Sequence, residues 1–286
     1  MDALRLLGEG ELEVRGRLVV SSNAALVGIV SAPAAGRPDG APGPDADAPA
    51  DAPARSRLLD TLLAGGAPEP GRDMVAVVYK PIAFERPLWD FPDGTLANRE
   101  VAAFLVSETT GWGIVPPTVL RDGPAGLGMV QLWIDEDQTI DAWELVQADD
   151  DRLRPMALFD AVVNNTDRKG SHILPVRGVA DDGSPGAGTH DDDIHFFGVD
   201  HGVCFSEDPK LRTVLWAWRS TPIAEPDLVV LRRLDRALDA ELGRELAALL
   251  DEAEIGATRG RLEDLLASGT YPEPSPDWPA VPWPPY

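Results

Sequence analysis

Seven consecutive residues, Met74-Val75-Ala76-Val77-Val78-Tyr79-Lys80, limit what this chain can become. The run is rich in β-branched and apolar residues, far too short to cross a bilayer, and closed by Pro81. It predicts a buried strand, and a buried strand needs paired neighbours. Candidates flank it on both sides. Residues 11–20 alternate and then turn apolar. After the small polar turn Ser21-Ser22-Asn23-Ala24, residues 26–30 read as the returning strand of a hairpin. Residues 115–120 and 128–134 predict two more strands. Between them residues 95–110 carry helical spacing through Val101, Phe104, Leu105 and Glu108, and Gly111 stops the helix. Three strands, a helix and two strands make one α+β lobe over residues 1–135.

The second part, residues 136–286, has a different character. Residues 155–163 predict a helix with one apolar side, followed by the polar loop Asn164-Asn165-Thr166-Asp167-Arg168-Lys169-Gly170. A short strand is expected at 172–176, a Gly/Asp-rich loop at 177–193, and a strand at 195–199 that delivers Asp200. Leucines at 231, 234, 238, 242, 246 and 249 predict one amphipathic helix over 228–250, and a further helix covers 256–267. The segment from Tyr271 holds seven prolines and two tryptophans, too aromatic for an inert linker, so it should pack in extended form. A short helix is expected from Leu58 through Leu63. An excursion over about 31–56, with six prolines before residue 55, lacks the apolar content of a core and reads as a disordered insertion.

Composition narrows the function. In 286 residues, 48 Asp and Glu against 25 Lys and Arg leave a formal charge of −23. Such a surface repels nucleic-acid phosphates and anionic lipid heads, so neither a general nucleic-acid binder nor a membrane-surface protein is expected. One cysteine, Cys204, excludes an intrachain disulfide and a Cys-based zinc site. The histidines His172, His190, His195 and His201 do not fall at a familiar zinc spacing. The sequence contains no run of about 18 apolar residues and no secretory leader, which predicts a cytoplasmic protein without stable membrane insertion.

Five features carry chemistry, in chain order. Backbone N–H groups of Ser21, Ser22 and Asn23 and the two serine hydroxyls can cradle phosphate oxygens, although a hairpin turn explains them as well. Lys80, at the end of its strand, brings a positive charge to meet the α- and β-phosphates of ATP. Glu100, early in the following helix, can orient that lysine through an ion pair, with Glu108 the competing partner. Asp167, on a loop between regular elements, can accept or orient a hydroxyl proton, against the plainer reading of an Asn/Asp turn. Asp200, at a strand end before His201-Gly202, offers the hard anionic oxygen that suits Mg²⁺. Together they form the set used for phosphoryl transfer, in the order kinases use it.

The stretch Phe159-Asp160-Ala161-Val162-Val163-Asn164-Asn165-Thr166-Asp167-Arg168-Lys169-Gly170 resembles the catalytic loop of the phosphatidylinositol 3-/4-kinase superfamily, the type II 4-kinases in particular. Residues 198–205, Gly-Val-Asp-His-Gly-Val-Cys-Phe, resemble its metal-binding strand and turn. Gln131-Leu132-Trp133-Ile134 resembles its interlobe hinge, and Trp216-Ala217-Trp218 its post-metal segment. The whole looks most like an actinobacterial branch of that superfamily over roughly residues 15–235. The resemblance implies a two-lobed, kinase-like α+β fold. It also implies a catalytic set of Asp167, Arg168 and Lys80, and adenine held at Gln131, Leu132, Trp133 and Ile134. Asp200 would be the chief Mg²⁺ or Mn²⁺ ligand. Five residues past the catalytic aspartate the family has a metal-binding asparagine; here that place is His172, a ligand better suited to Mn²⁺ or Zn²⁺ than to Mg²⁺. The Cys-rich membrane-attachment segment of type II lipid kinases is missing from this sequence, so the expected acceptor is a hydroxyl on a protein or soluble metabolite. Alternatives left open are a nucleotide-binding pseudokinase with a regulatory role, transfer of AMP instead of phosphate, and an acidic structural protein with chance Asp-Gly turns.

Overall fold

The structure, a computed structural model, describes residues 2–18, 25–33, 57–63, 73–178 and 194–286. The Ser21–Asn23 turn, most of the 31–56 excursion and most of the 177–193 loop lie outside the described residues. The chain forms a mixed α/β protein of two compact units. Unit 1 gathers residues 1–85, 117–136 and 176–195; unit 2 gathers 86–116, 137–175 and 196–286. A crossing at 136/137 falls within one residue of the expected boundary. A single cut there nonetheless differs from this division, because residues 86–116 group with unit 2 and residues 176–195 with unit 1.

Unit 1 is built on an antiparallel sheet of β1 (Glu11–Arg17), β2 (Leu26–Ser31), β3 (Met74–Pro81), β4 (Thr118–Gly123) and β5 (Gly126–Leu132), in the order β1-β2-β3-β5-β4. The run that reads as a buried strand is the central strand β3. Two helices cover the sheet. Leu6 and Leu7 of α1 (Ala3–Glu9) pack with Val30, Val77, Tyr79 and Val130. Leu59 of α2 (Arg57–Leu62) packs with Ile29 and Ala76, the alternate positions of the same strands. Helix α1 was not legible as periodicity. It is two turns long, and Arg121 closes its end by donating from Nη1 to the carbonyls of Leu7 and Gly10.

Unit 2 is mainly helical: α3 (Leu96–Thr110), α4 (Ala142–Gln147), α5 (Arg154–Val163), α6 (Glu225–Leu238), α7 (Glu241–Leu246) and α8 (Glu252–Ser268). Strands β6 (Ile173–Arg177) and β7 (Ile194–Gly198) pair as a separate two-stranded sheet, and the division between units runs through both. Helix α3 stops at left-handed Gly111, as the sequence predicts. The single helix expected over 228–250 is a correction: it is two helices, α6 and α7, with Ala240 outside helical geometry at φ −121°, ψ −127°. The bend does not interrupt the apolar stripe, since Leu231, Leu234, Leu238, Leu242 and Leu246 are all buried. Helix α8 starts on a capping box: the Asp251 carboxylate accepts from Glu254 N–H and the Glu254 carboxylate from Asp251 N–H.

The Pro/Trp segment does pack, within unit 2, as a run of turns and bends without helix or strand. Tyr271 is buried beside Trp218. Trp278 stacks on Trp89, ring centroids 6.3 Å apart, and the buried Lys210 ammonium lies 5.3 Å from the Trp278 ring and 2.9 Å from the Asp90 carboxylate. The Ala280 carbonyl accepts from Thr213 N–H and Trp216 Nε1; the Pro285 carbonyl accepts from Gly170 N–H.

Candidate active site

Helix α5 leads into the polar loop. Its last residue is followed by Asn164 in left-handed conformation (φ 51°), which an asparagine tolerates better than a β-branched residue. The Asn164 amide donates to the Ser206 and Asp208 carbonyls. The Asn165 side chain donates to Asp160 Oδ1 and accepts the Asp167 N–H at 3.0 Å, while both the N–H and hydroxyl of Thr166 donate to the Val203 carbonyl. The loop is therefore tied along its length to the chain after β7.

Arg168 does the most tying. Its side chain has no exposed surface, nor has that of Asp160, the one acid inside the apolar helix α5. Arg168 Nη2 and Nε bond the Asp160 carboxylate at 2.9 and 3.0 Å, and Nη1 donates to the carbonyls of His172 and Val199. Nη2 also lies 2.6 Å from His201 Nε2. A Cβ at position 198 would stand 3.0 Å from this guanidinium, so Gly198 leaves the room it fills. Beside the catalytic role that the resemblance implies, Arg168 makes a structural set of contacts. A fully buried guanidinium, occupied by a carboxylate and two carbonyls, acts by holding the loop against the strand that carries Asp200.

Asp200 follows β7 with φ 62°, its side chain 46% exposed. Val199 N–H donates to the His172 carbonyl, which brings the two segments together, and His172 Nε2 lies 3.6 Å from Asp200 Oδ2. That distance is too long for a direct hydrogen bond. Burial pushes the His172 pKa down, against the opposing pull of Asp200, so the imidazole is neutral at neutral pH and the contact is no ion pair. A neutral imidazole is the form that binds metal. His172 Nδ1 is buried without a hydrogen-bond partner. Among the described residues no group of three or more His, Cys, Asp or Glu is gathered to hold a metal ion unaided. A two-residue set suits a divalent ion that arrives with phosphate oxygens and water.

The loop presents two side chains outward. Asp167 and Lys169 are 31% and 22% exposed, between buried Thr166, Arg168 and Gly170, and Lys169 Nζ donates to Asp167 Oδ2 at 2.8 Å. Lys169 has no role in the sequence reading. Its signal was the alternation of small or anchored residues with charged ones, which is invisible until burial is known.

The other expected residues divide between the units. Glu100, on α3 in unit 2, is buried, and its Oε2 accepts the His201 N–H at 2.9 Å. This bond supports the turn after Asp200. Lys80 lies in unit 1, on β3 opposite Met129 of β5. Of the expected adenine contacts, the buried Gln131 amide donates to Thr118 Oγ1, Leu132 N–H to the Pro117 carbonyl and Trp133 N–H to the Ala76 carbonyl. Those donors are already committed within unit 1. Ile134 is buried. Trp216 and Trp218 serve packing: Trp218 Nε1 donates to Asp151 and Trp216 Nε1 to Ala280.

Fold and site thus define a two-unit α/β protein with a pinned acidic loop facing a second acid at a strand end. The chain belongs to the family of Protein Rv2133c of Mycobacterium tuberculosis, with which it is 42% identical over 242 residues, 72% of this chain and 81% of the relative. A stretch of 101 residues is 30% identical to phosphatidylinositol 4-kinase gamma 6 of Arabidopsis thaliana, covering 34% of this chain and 15% of that protein. This part of the chain is thus similar to a phosphatidylinositol kinase. The crystal structure of the Helicobacter pylori proinflammatory kinase CtkA aligns with a TM-score of 0.39 at 12% identity, over 69% of this chain and 85% of that one. No protein-family model matches the chain.

Proposed function

We propose that the protein is a phosphotransferase that moves the γ-phosphoryl group of ATP to a hydroxyl on a protein or soluble small molecule. One observation carries this reading. Asp167 stands on a loop whose backbone is anchored on both sides, and the same buried arginine joins that loop to the strand end bearing Asp200. Phosphoryl transfer demands placement and charge neutralisation more than covalent chemistry, and such anchoring supplies placement. The likeness of part of the chain to a phosphatidylinositol 4-kinase supports the same class.

In this reading Asp167 orients the acceptor hydroxyl and takes its proton. Asp200, with His172, would hold Mg²⁺ or Mn²⁺, which when bound supplies positive charge to the phosphate oxygens. Lys80 and residues 131–134 enter as the nucleotide contacts implied by the resemblance. A formal charge of −23 opposes approach to an anionic lipid surface, and among the described residues no helix is long and apolar enough to cross a membrane. A soluble acceptor fits these facts better than a membrane lipid.

Asp167→Ala should abolish transfer and leave ATP binding largely intact, whereas Asp200→Ala should weaken metal-dependent ATP binding. Autophosphorylation and calorimetric titration with Mg²⁺ and with Mn²⁺ read the two effects. Unchanged turnover in both variants would end the assignment, and an added AMP mass in place of phosphate would redirect it. His172, at a place where an oxygen ligand is expected, favours a second reading: nucleotide binding without transfer. Binding with no turnover under either metal would select it.

A further inference from the structure

Two aromatic rings of unit 2 close on the loop that carries Asp167, and the reading above gives them no work. Trp143 stands in the first turn of α4 and Tyr286 in the Pro/Trp segment; their ring centroids lie 5.9 Å apart. Both press on Gly170. A Cβ there would stand 2.7 Å from the Tyr286 ring and 2.8 Å from the Trp143 ring, so glycine lets the rings come this close. The Gly170 N–H donates to the Pro285 carbonyl, which fixes the segment to the loop beside the rings. Packing does not use up this aromatic surface. Trp143 is half-buried, Tyr286 is 60% exposed, and Trp283, two residues before Pro285, is 86% exposed. Large rings gathered in water, rather than scattered singly, mark a surface that meets a partner.

Charge says which partner. Asp141 accepts from the N–H groups of Trp143 and Glu144, so its exposed carboxylate sits at the start of α4 beside the indole, with exposed Glu144 next along the helix. On the loop side stand Asp167 and Asp200, 31% and 46% exposed. Of the loop's cations, Lys169 is bonded to Asp167 and Arg168 is buried on Asp160. Open ring faces beside carboxylates attract a cation twice, by the ring quadrupole and by charge. The protein holds one of its own lysines in this way: the Lys210 ammonium lies 5.3 Å from the Trp278 ring and 2.9 Å from the Asp90 carboxylate.

We propose that this face docks a basic segment of a protein, and that the segment carries the acceptor hydroxyl. The proposal rests on the phosphotransferase reading and names its substrate class. An Arg or Lys of the segment seats on the Trp143 and Tyr286 rings while the hydroxyl lies at Asp167. Asp167 and Gly170 are three residues apart, at most about 10 Å of backbone, and an extended acceptor covers that span in about three residues. The cation therefore belongs about three residues from the hydroxyl. A guanidinium fits best, because its plane stacks on a ring while its N–H fork pairs with a carboxylate.

The probes are three labelled peptides with one serine, carrying arginine, glutamine or glutamate three residues to each side of it. Fluorescence anisotropy reads binding, and phosphopeptide mass reads transfer from ATP with Mg²⁺ and with Mn²⁺. Wild type should bind the arginine peptide about tenfold more tightly than the glutamine one, and the glutamate peptide least. Trp143→Leu and Tyr286→Leu should each erase most of that preference. Should Trp143→Leu fail to fold, Tyr286→Leu and Glu144→Gln, at exposed positions, still read the effect. Equal affinity for the arginine and glutamine peptides, or a full preference kept by the folded ring variants, would overturn the proposal. Transfer to the glutamine or glutamate peptide as fast as to the arginine peptide would overturn it too and leave the phosphotransferase reading standing. Ring-dependent binding of the arginine peptide with no phosphate transferred under either metal would uphold the docking surface and overturn that reading, and with it the acceptor assignment.

Discussion

Arg168 and Asp160 place opposite charges where neither has exposed surface, joined by three hydrogen bonds within 3.2 Å. A buried pair of this kind is costly to form and costlier to break, because removing one partner strands the other without water. Arg168→Ala should therefore cost about 3–5 kcal/mol, read as a fall in the denaturant midpoint, and should free the loop carrying Asp167. Asp167 and Asp200 both stand out in the sequence as candidates, since an acid in a polar loop or at the end of an apolar strand draws notice. Asp160 offered a signal too: an acid in the middle of an apolar helix requires a partner, and the arginine eight residues later is that partner. The bond from His201 N–H to Glu100 was not legible: the spacing of the two residues along the chain carries no information about it.

Strand β3, helices α3 and α5 and strand β7 follow closely from apolar runs, stop residues and spacing, because those signals act within a few residues. The break between α6 and α7 was hidden because the leucine stripe continues across it, and burial follows the stripe, not the helix count. Tyr271, at the junction of α8 and the Pro/Trp segment, gives this region a titratable marker. Burial pushes its phenol up to about 12, against an ordinary value of 10.0. The neutral form is thus favoured in the folded chain, and its contribution to stability is complete below pH 10 and lost as pH rises through 12. Melting temperature followed from pH 9 to 12 should fall for wild type and fall less steeply for Tyr271→Phe. Equal slopes would deny Tyr271 that role.

Two units share the chain in alternating segments, and the path crosses between them at 85/86, 116/117, 136/137, 175/176 and 195/196. Local patterns predict the pieces well; they place α3 beside the strands that flank it in the chain, whereas residues 86–116 group with the helices of unit 2. Periodicity reports which face of a helix is buried and is silent about what buries it. The Pro/Trp segment is the opposite case, in which composition alone announced long-range packing. Removing residues 277–286 deletes the Pro285 acceptor of Gly170 N–H, the Ala280 acceptor of Thr213 N–H and the ring stacked on Trp89. Each net hydrogen bond is worth about 0.5–1.5 kcal/mol, so amide exchange across residues 165–173 should quicken several-fold in the truncated chain. Unaltered exchange there would show that the segment merely decorates the surface.

Those same contacts bear on how the protein is made. A ribosome that has just delivered the loop at 164–172 has more than a hundred residues still to add before Pro285 emerges. Throughout that interval Gly170 N–H has no access to the carbonyl that fastens it, and Trp89 and Lys210 await Trp278. The segment that would do chemistry consequently reaches its final form only after the Pro/Trp segment has been made, so a chain terminated before Pro285 would carry the acidic residues without their finished setting.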